Sequence, residues 1–577
     1  MYTSVKHVQI LISLLKQHDI SHIVINPGFT NVPIVQGIQN DPHFTCYSIV
    51  DERSAMYFAI GLHLKTGERI ATTCTSAQAT RNYIPGLTEA FYKKVPILAI
   101  TVSKHPKYDY QGYPQHPIQT SLPEDAVKKT FALPYVSDIN AELQCVRMVN
   151  EAILELTHRC MGPVQVNLPL LDSDLMEFTT LELPKVRVIN RYMQWDVWDI
   201  NLINKKIMLV IGECRPMTNK QKNALERFVE SQNAFVYVNH LSNYQGKYSV
   251  AANILLATIS EEQFKSDFQP DILFTIGGQS GDYALLRKLI PGSENEFEHY
   301  HISEDGEIVD TFDKLTKVFE VPFELFFAKL SLNQKDSHSY YEYWVTAYNS
   351  IQIPDTLPLS NIYLAQQLHE QIPQNSTLNF AILNSLRSWS LFELHPSITC
   401  YSNVAAFGID GGLSTFLGQS IITDELCFMV IGDLAFGYDM NSLGIRHLKN
   451  NIRILLVNNG CGVEFRMSKQ LNNELGDEIF PYIAAKGHSH MAKAWAESCG
   501  FKYISAKTKE ELLTHQNTLV SESDRPILFE LFVDPNDELE AYNMVMKSNI
   551  IESKSKAAAR AVLGQKGVNL LKRIVKR

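Results

Sequence analysis

Two strand-terminating turns in this chain are built from oxygen ligands. Gly432-Asp433 follows the apolar run 426–431, and Asn458-Asn459 follows the apolar run 452–457, with 24 residues between Asp433 and Asn458. The stretch 440–448 reads as a crossover helix, so a right-handed strand–helix–strand unit brings both strand ends to one edge of a parallel sheet. A carboxylate and an amide oxygen there, completed by waters and a substrate phosphate, suit octahedral Mg²⁺. Gly-Asp and Asn-Asn are ordinary turn dipeptides on their own; their spacing on consecutive strand ends favours ligation. A second carboxyl group, Glu52 in Asp51-Glu52-Arg53, lies between the short strand 45–50 and the apolar helix 55–64. A glutamate at a helix start complements the helix dipole whether or not it serves a ligand. The third segment, 401–415, contains Phe407-Gly408-Ile409-Asp410-Gly411-Gly412-Leu413-Ser414-Thr415 and leads into a helix. Such an N-terminus presents N–H groups to an anion.

The surrounding pattern predicts an α/β fold with three consecutive open parallel-sheet domains. In residues 1–182 the helical stretch 5–17 alternates with apolar runs at 22–28, 69–74 and 95–102. Periodicity lapses at 181–201, which reads as a linker around Pro184. A second unit, 200–345, has strands at 206–212, 234–238 and 271–278 that end in glycine, without the Gly-rich fingerprint of a nucleotide site. A third, 354–545, carries the strands at 426–431, 452–457 and 527–533, and a basic tail follows at 546–577. With 577 residues, 45% of them hydrophobic and 20% charged, the chain falls in the ordinary globular range. A net charge of −10 gives no electrostatic reason to bind nucleic acid. Nine cysteines without metal spacing, and an N-terminus without a signal-like apolar run, point to a cytoplasmic protein. The last 25 residues carry eight basic and no acidic side chains. Val568, Leu571 and Val575 could share a helical face there; a solvated or self-docked helix is favoured over one lying on anionic lipid.

Taken together, these segments resemble the thiamine diphosphate (ThDP) dependent decarboxylase and carboligase superfamily over nearly the whole chain. Its members have a pyrimidine-binding, a central Rossmann-like and a diphosphate-binding domain. Within it, 407–415 and Cys74-Thr75-Ser76-Ala77-Gln78-Ala79 most resemble the menaquinone-pathway 2-succinyl-5-enolpyruvyl-6-hydroxy-3-cyclohexene-1-carboxylate synthases. The resemblance implies ThDP and Mg²⁺ as cofactors, with Asp433, Asn459 and the carbonyl of Cys461 as metal ligands. It makes Glu52 the group that activates the cofactor's aminopyrimidine and Ile409 the wedge beneath its bent rings. Ser76, Gly408, Gly432, Leu434 and Gly462 complete the cofactor-binding set. It further implies a homodimer or homotetramer, since the glutamate and the diphosphate site come from different protomers. The implied reaction is decarboxylation of a small 2-oxo acid, with transfer of the acyl unit to an acceptor or release as an aldehyde.

The sequence departs from those synthases at their substrate arginines: Thr30, Trp389 and Val404 stand in arginine positions. Losing two or three charge-assisted contacts, at roughly 1.5–3 kcal/mol each, would cripple binding of a multiply charged acid. A different donor and acceptor are therefore expected, with the menaquinone-pathway reaction as one alternative and a catalytically silent scaffold as another. Phe29, Thr30, Gln115, Arg387, Trp389, Glu464, Phe465 and Arg466 flank the resembling segments and are the expected pocket. His116, a histidine suited to proton transfer near neutral pH, is a candidate relay.

Overall fold

Strands of a parallel sheet are covered by helices on both faces, so they need apolar runs rather than alternation. The runs in this chain meet that demand. The computed structural model describes residues 1–290, 297–331, 337–467, 474–475 and 477–549. In one compact unit, Met1–Trp198 with Glu304–Glu320, six strands form a sheet: β1 (His22–Ile25), β2 (Thr45–Ser48), β3 (Ile70–Cys74), β4 (Ile97–Lys104), β5 (Thr130–Ala132) and β6 (Val164–Leu170). Their order is β2-β1-β3-β4-β6-β5, every pairing is parallel, and β3, β4 and β6 are buried at each position. One apolar layer on this sheet is supplied by the helices Lys6–Gln17 and Ile139–Glu155, the other by Glu52–Thr66 and Ala79–Lys93.

The expected linker at 181–201 is corrected by β7 (Asn190–Met193), a strand that follows the fully buried Ile189. Its partner lies more than a hundred residues downstream, which is why local periodicity gives no sign of it. The second unit, Asp199–Ser303 and the chain from Val321 on, opens with β8 (Ile207–Ile211), β9 (Ala234–Tyr237), β10 (Ser249–Val250), β11 (Ile272–Ile276) and β12 (Glu298–Ser303), ordered β10-β9-β8-β11-β12. A Cβ on Gly212 would sit 1.7 Å from the Gly278 carbonyl oxygen. The strand-end glycines thus let two backbones approach, in keeping with the missing nucleotide fingerprint. β13 (Leu315–Glu320), in the first unit, pairs in parallel with β7.

The second unit closes with β14 (Thr377–Phe380), β15 (Thr399–Tyr401), β16 (Cys427–Gly432), β17 (Ile452–Asn458), β18 (Lys502–Ala506) and β19 (Ile527–Phe532), ordered β15-β14-β16-β17-β19-β18 and again all parallel. The crossover between β16 and β17 differs from expectation. The helix runs Asp433–Asp439, directly off the strand, and Met440–Gly444 is a 3₁₀ turn. Asp433 in the first turn complements the N-terminal dipole, which favours starting the helix there. All nine cysteines are free. No helix among the described residues is long and apolar enough to cross a membrane. The tail from 550 on, with Val568, Leu571 and Val575, lies outside the described residues.

One buried acid fastens helices of this second unit together. Glu538, in the helix Pro535–Ser548, is fully buried; its Oε1 accepts the Asn361 N–H at 2.9 Å, and Asn384 Nδ2 lies 3.5 Å from its Oε2. Burial outweighs these hydrogen bonds and pushes the carboxyl up from 4.5 to about 7. The folded state therefore binds the extra proton between those values, so this group's contribution to stability falls as pH rises through that window and levels off above it. Glu538→Gln, which keeps an acceptor oxygen, should remove a loss on the order of 3 kcal/mol between pH 4.5 and 7. Urea midpoints at pH 5 and pH 8 should accordingly lie closer together in the variant than in the wild type.

Candidate active site

In the first unit, Glu52 is the opening residue of its helix, because the Asp51 side chain caps the turn by accepting the Ser54 N–H at 2.7 Å. Asn82, on the neighbouring helix Ala79–Lys93, donates Nδ2 to Glu52 Oε2 at 3.0 Å. The two helices approach closely at Gly86, where a Cβ would fall 2.3 Å from Met56 Cβ. Beneath them, at the end of β1, buried Asn26 donates to the Ile49 carbonyl at 2.7 Å and accepts the Tyr83 hydroxyl at 2.7 Å. Burial holds Tyr83 well above its ordinary pKa, so it remains a neutral donor.

Nothing in the sequence marks Asn26, Asn82 or Tyr83, since no linear spacing connects them to Glu52. Thr30, an expected pocket residue, is buried. Its Oγ1 lies 2.7 Å from Thr75 Oγ1 and accepts the Ser76 N–H at 2.9 Å, so it braces the loop after β3. Ser76 Oγ is buried with no partner, an unspent polar group in a segment expected to meet the cofactor. Phe29 is exposed, and Gln115 is exposed with φ 58°. His116 Nε2 lies 2.6 Å from Asp109 Oδ1, while its Nδ1 is buried without a partner. Gln119 Nε2 ties this segment to the Ala77 carbonyl at 3.1 Å.

In the second unit, β16 and β17 are adjacent and parallel, with Gly432 opposite Val457, so Asp433 and the Asn458-Asn459 pair leave the sheet at one edge. Asp433 Oδ2 accepts the Gly460 N–H at 2.7 Å and Oδ1 its neighbour Leu434 N–H at 2.8 Å. Asn459 Oδ1 accepts the Cys461 N–H at 3.3 Å. Asn458 is turned away: its Nδ2 donates to Glu530 Oε1 at 2.7 Å and to the His490 carbonyl at 2.8 Å. Glu530 is fully buried in β19 and also accepts from Ala492 N–H and Tyr503 hydroxyl. As the lone acid inside the apolar run 527–532, it is the one residue there whose type signals a partner.

Burial pushes the Asp433 carboxyl up, against the opposing pull of the Leu434 and Gly460 N–H groups and of His488, whose Nε2 lies 3.2 Å from Oδ2. A buried carboxylate short of positive charge, beside an amide oxygen, is a donor set suited to a hard divalent cation. Among the described residues no cluster of three His, Cys, Asp or Glu side chains forms. A set of one carboxylate, one amide and one backbone carbonyl does not require one.

The Gly-rich segment is tied to this edge. Ser414, early in the helix Gly412–Ser420, donates N–H and Oγ to Asp439 at 2.6 Å each. That fixes the segment preceding it, in which Ile409 is 37% exposed. A Cβ on Gly408 would lie 2.3 Å from Asp410 Oδ1, so a side chain there would require the exposed Asp410 carboxylate to turn away. Gly462 N–H is held by the Ala484 carbonyl at 2.7 Å.

Of the expected pocket residues, Arg387 and Glu464 meet as an ion pair. Both line a cavity of about 860 Å³, as does Arg466, whose Nη2 donates to Asn536 at 3.1 Å. Phe465 is exposed. Trp389 is a correction. It is fully buried among Phe380, Leu386 and Ile362, with Nε1 3.3 Å from Asn361 Oδ1, because its helix turns that face into the core. Val404 is equally buried.

A family model described as "Thiamine pyrophosphate enzyme, N-terminal TPP binding domain" matches residues 5–126, the part of the chain that carries Glu52 and Ser76. The class is therefore that of ThDP-dependent enzymes. Over 93% of its length the chain is 33% identical to a 2-succinyl-5-enolpyruvyl-6-hydroxy-3-cyclohexene-1-carboxylate synthase of Bacteroides thetaiotaomicron, covering 98% of the relative. A Phocaeicola vulgatus protein of the same name is 35% identical over 92% of this chain and 96% of its own, and one from Flavobacterium psychrophilum is 28% identical over 92% and 96%. The chain belongs to this family of ThDP enzymes.

Trp389→Ala should lower stability by about 3–5 kcal/mol, the cost of a large core truncation. Trp389→Phe should cost much less. Chemical denaturation of the two variants measures both, and a residue that merely lined an open pocket would give two small effects.

Proposed function

We propose that this chain is a carboligase, joining the acyl unit left by decarboxylation of a 2-oxo acid to a small acceptor. The observation that carries the reading is the buried Asp433 carboxylate beside Asn459 on adjacent strand ends. Asp433, Asn459 and the Cys461 carbonyl would hold Mg²⁺ and, through it, a diphosphate. When bound, ThDP supplies the carbon nucleophile and the electron sink for decarboxylation. Glu52 would exchange a proton with the pyrimidine ring through Oε1, the oxygen that Asn82 leaves available. Ile409 would give the rings an apolar support, and His116, oriented by Asp109, would pass a proton. Two copies of the chain would complete each site. The domain division 1–182, 200–345 and 354–545 belongs to this same reading.

The shared name of the relatives makes 2-succinyl-5-enolpyruvyl-6-hydroxy-3-cyclohexene-1-carboxylate synthesis the first specific reaction to consider. A second reading, a carboligase for another acid, is favoured by Thr30, Trp389 and Val404, three buried uncharged side chains where the resemblance expects arginines.

Purified enzyme with ThDP and Mg²⁺ should release CO₂ from at least one of 2-oxoglutarate, pyruvate and a bulky aromatic 2-oxo acid. Consumption of isochorismate with 2-oxoglutarate selects the first reading, and coupling of another pair selects the second. Glu52→Gln should still bind ThDP by calorimetry but lose about 10²–10⁴ in turnover. Asp433→Ala should lose cofactor binding. A wild-type chain that neither binds ThDP nor releases CO₂ is a silent scaffold, and the proposal fails.

A further inference from the structure

The Arg387–Glu464 pair is an unusual way to furnish a binding cavity, because each charge is spent on the other. The arginine is held from several sides. Its Nη1 lies 2.9 Å from Met467 Sδ, its guanidinium is 5.8 Å from the centre of the Tyr542 ring, and its N–H closes the helical turn on the Leu383 carbonyl at 2.9 Å. Leu383 itself, at the start of that helix, has φ 66° and ψ −118°, a backbone strain that the surrounding structure must over-determine. Glu464 is held far less. It opens a four-residue helix after Gly462, and among the described residues Arg387 is its carboxylate's hydrogen-bond partner. The two side chains are 27% and 31% exposed, so the pair is weak enough to exchange.

We infer that Arg387 is the receptor for a substrate carboxylate remote from the reacting carbon, and that Glu464 occupies the receptor until that carboxylate displaces it. The inference rests on the proposed carboligase reading and supplies the cation that Thr30, Trp389 and Val404 do not. The guanidinium fork matches a carboxylate with two parallel hydrogen bonds. Exchanging one carboxylate for another leaves the local charge unchanged once Glu464 has turned to solvent. Of the other cations lining the cavity, Lys288 donates to the Ile259 carbonyl at 2.7 Å and Arg466 to Asn536, while Arg287 is exposed. A resident acid also tunes selection, because a neutral ligand cannot compete for the guanidinium.

The test uses full-length enzyme with ThDP and Mg²⁺, and the variants Arg387→Gln, Glu464→Gln, the double variant and Arg387→Lys. Calorimetric titration with succinate, an unreactive dicarboxylate, reads the receptor without turnover. Steady-state kinetics read KM and kcat for each acid that releases CO₂. Arg387→Gln should weaken succinate binding and raise KM for a dicarboxylic substrate about tenfold or more, by much more than it raises KM for pyruvate. Glu464→Gln should do the opposite, tightening succinate binding severalfold, and the double variant should follow Arg387→Gln. Arg387→Lys, which keeps the charge without the fork, should fall between and serves if the glutamine variant does not fold. Whether KM for the donor or for the acceptor moves tells which substrate carries the carboxylate. Weaker succinate binding in Glu464→Gln, or unchanged binding in Arg387→Gln, would overturn the inference. The expected succinate pattern without any CO₂ release would instead overturn the carboligase reading and leave the receptor standing.

Discussion

A carboxylate buried at the end of a parallel strand is the constraint around which the second unit is organised. Taking Asp433 out of water disfavours its charge, and two backbone N–H groups recover only part of that cost. The fold keeps it there because β16 and β17 run side by side and their next residues must share one edge. Glu530 reinforces the geometry by drawing the Asn458 side chain away, which leaves Asn459 as the amide at that edge. A buried acid with unmet charge beside an amide oxygen is a poor stabiliser of a fold and a good seat for a cation.

The first unit applies the same economy to another carboxyl. Glu52 is fixed by a capped helix start and by Asn82, yet it remains partly accessible. Asn26 and Tyr83 form a neutral, saturated floor beneath it. The two carboxyls therefore sit in opposite environments: Asp433 is buried and short of positive charge, and Glu52 is hydrogen-bonded and reachable. Different environments are how one chain assigns different chemistry to chemically similar side chains.

The substrate side follows a different logic from the cofactor side. Where the resemblance expects arginines, the fold places a braced threonine, a core tryptophan and a core valine. Arg387 lies on the same short helix as Trp389 but two residues earlier, which turns it toward the cavity while Trp389 faces the core.

Much of this was legible in the linear sequence. The apolar runs fixed three parallel sheets, since only strands covered on both faces can be so uniformly apolar. The spacing of Asp433 and Asn459 then placed two oxygen-bearing side chains at one edge, because the right-handed crossover brings consecutive parallel strand ends together. What local pattern could not reach were the contacts between residues far apart in the chain: β7 with β13, Asn82 with Glu52, Glu530 with Asn458, and the pairing that joins Arg387 to Glu464. It also could not tell that Trp389 faces inward, since the side of a six-residue helix that meets the core is set by what packs on it. Periodicity and turn chemistry are properties of neighbours along the chain. Which charge meets which, and which side chain is left for a ligand, is decided only when the sheets have closed.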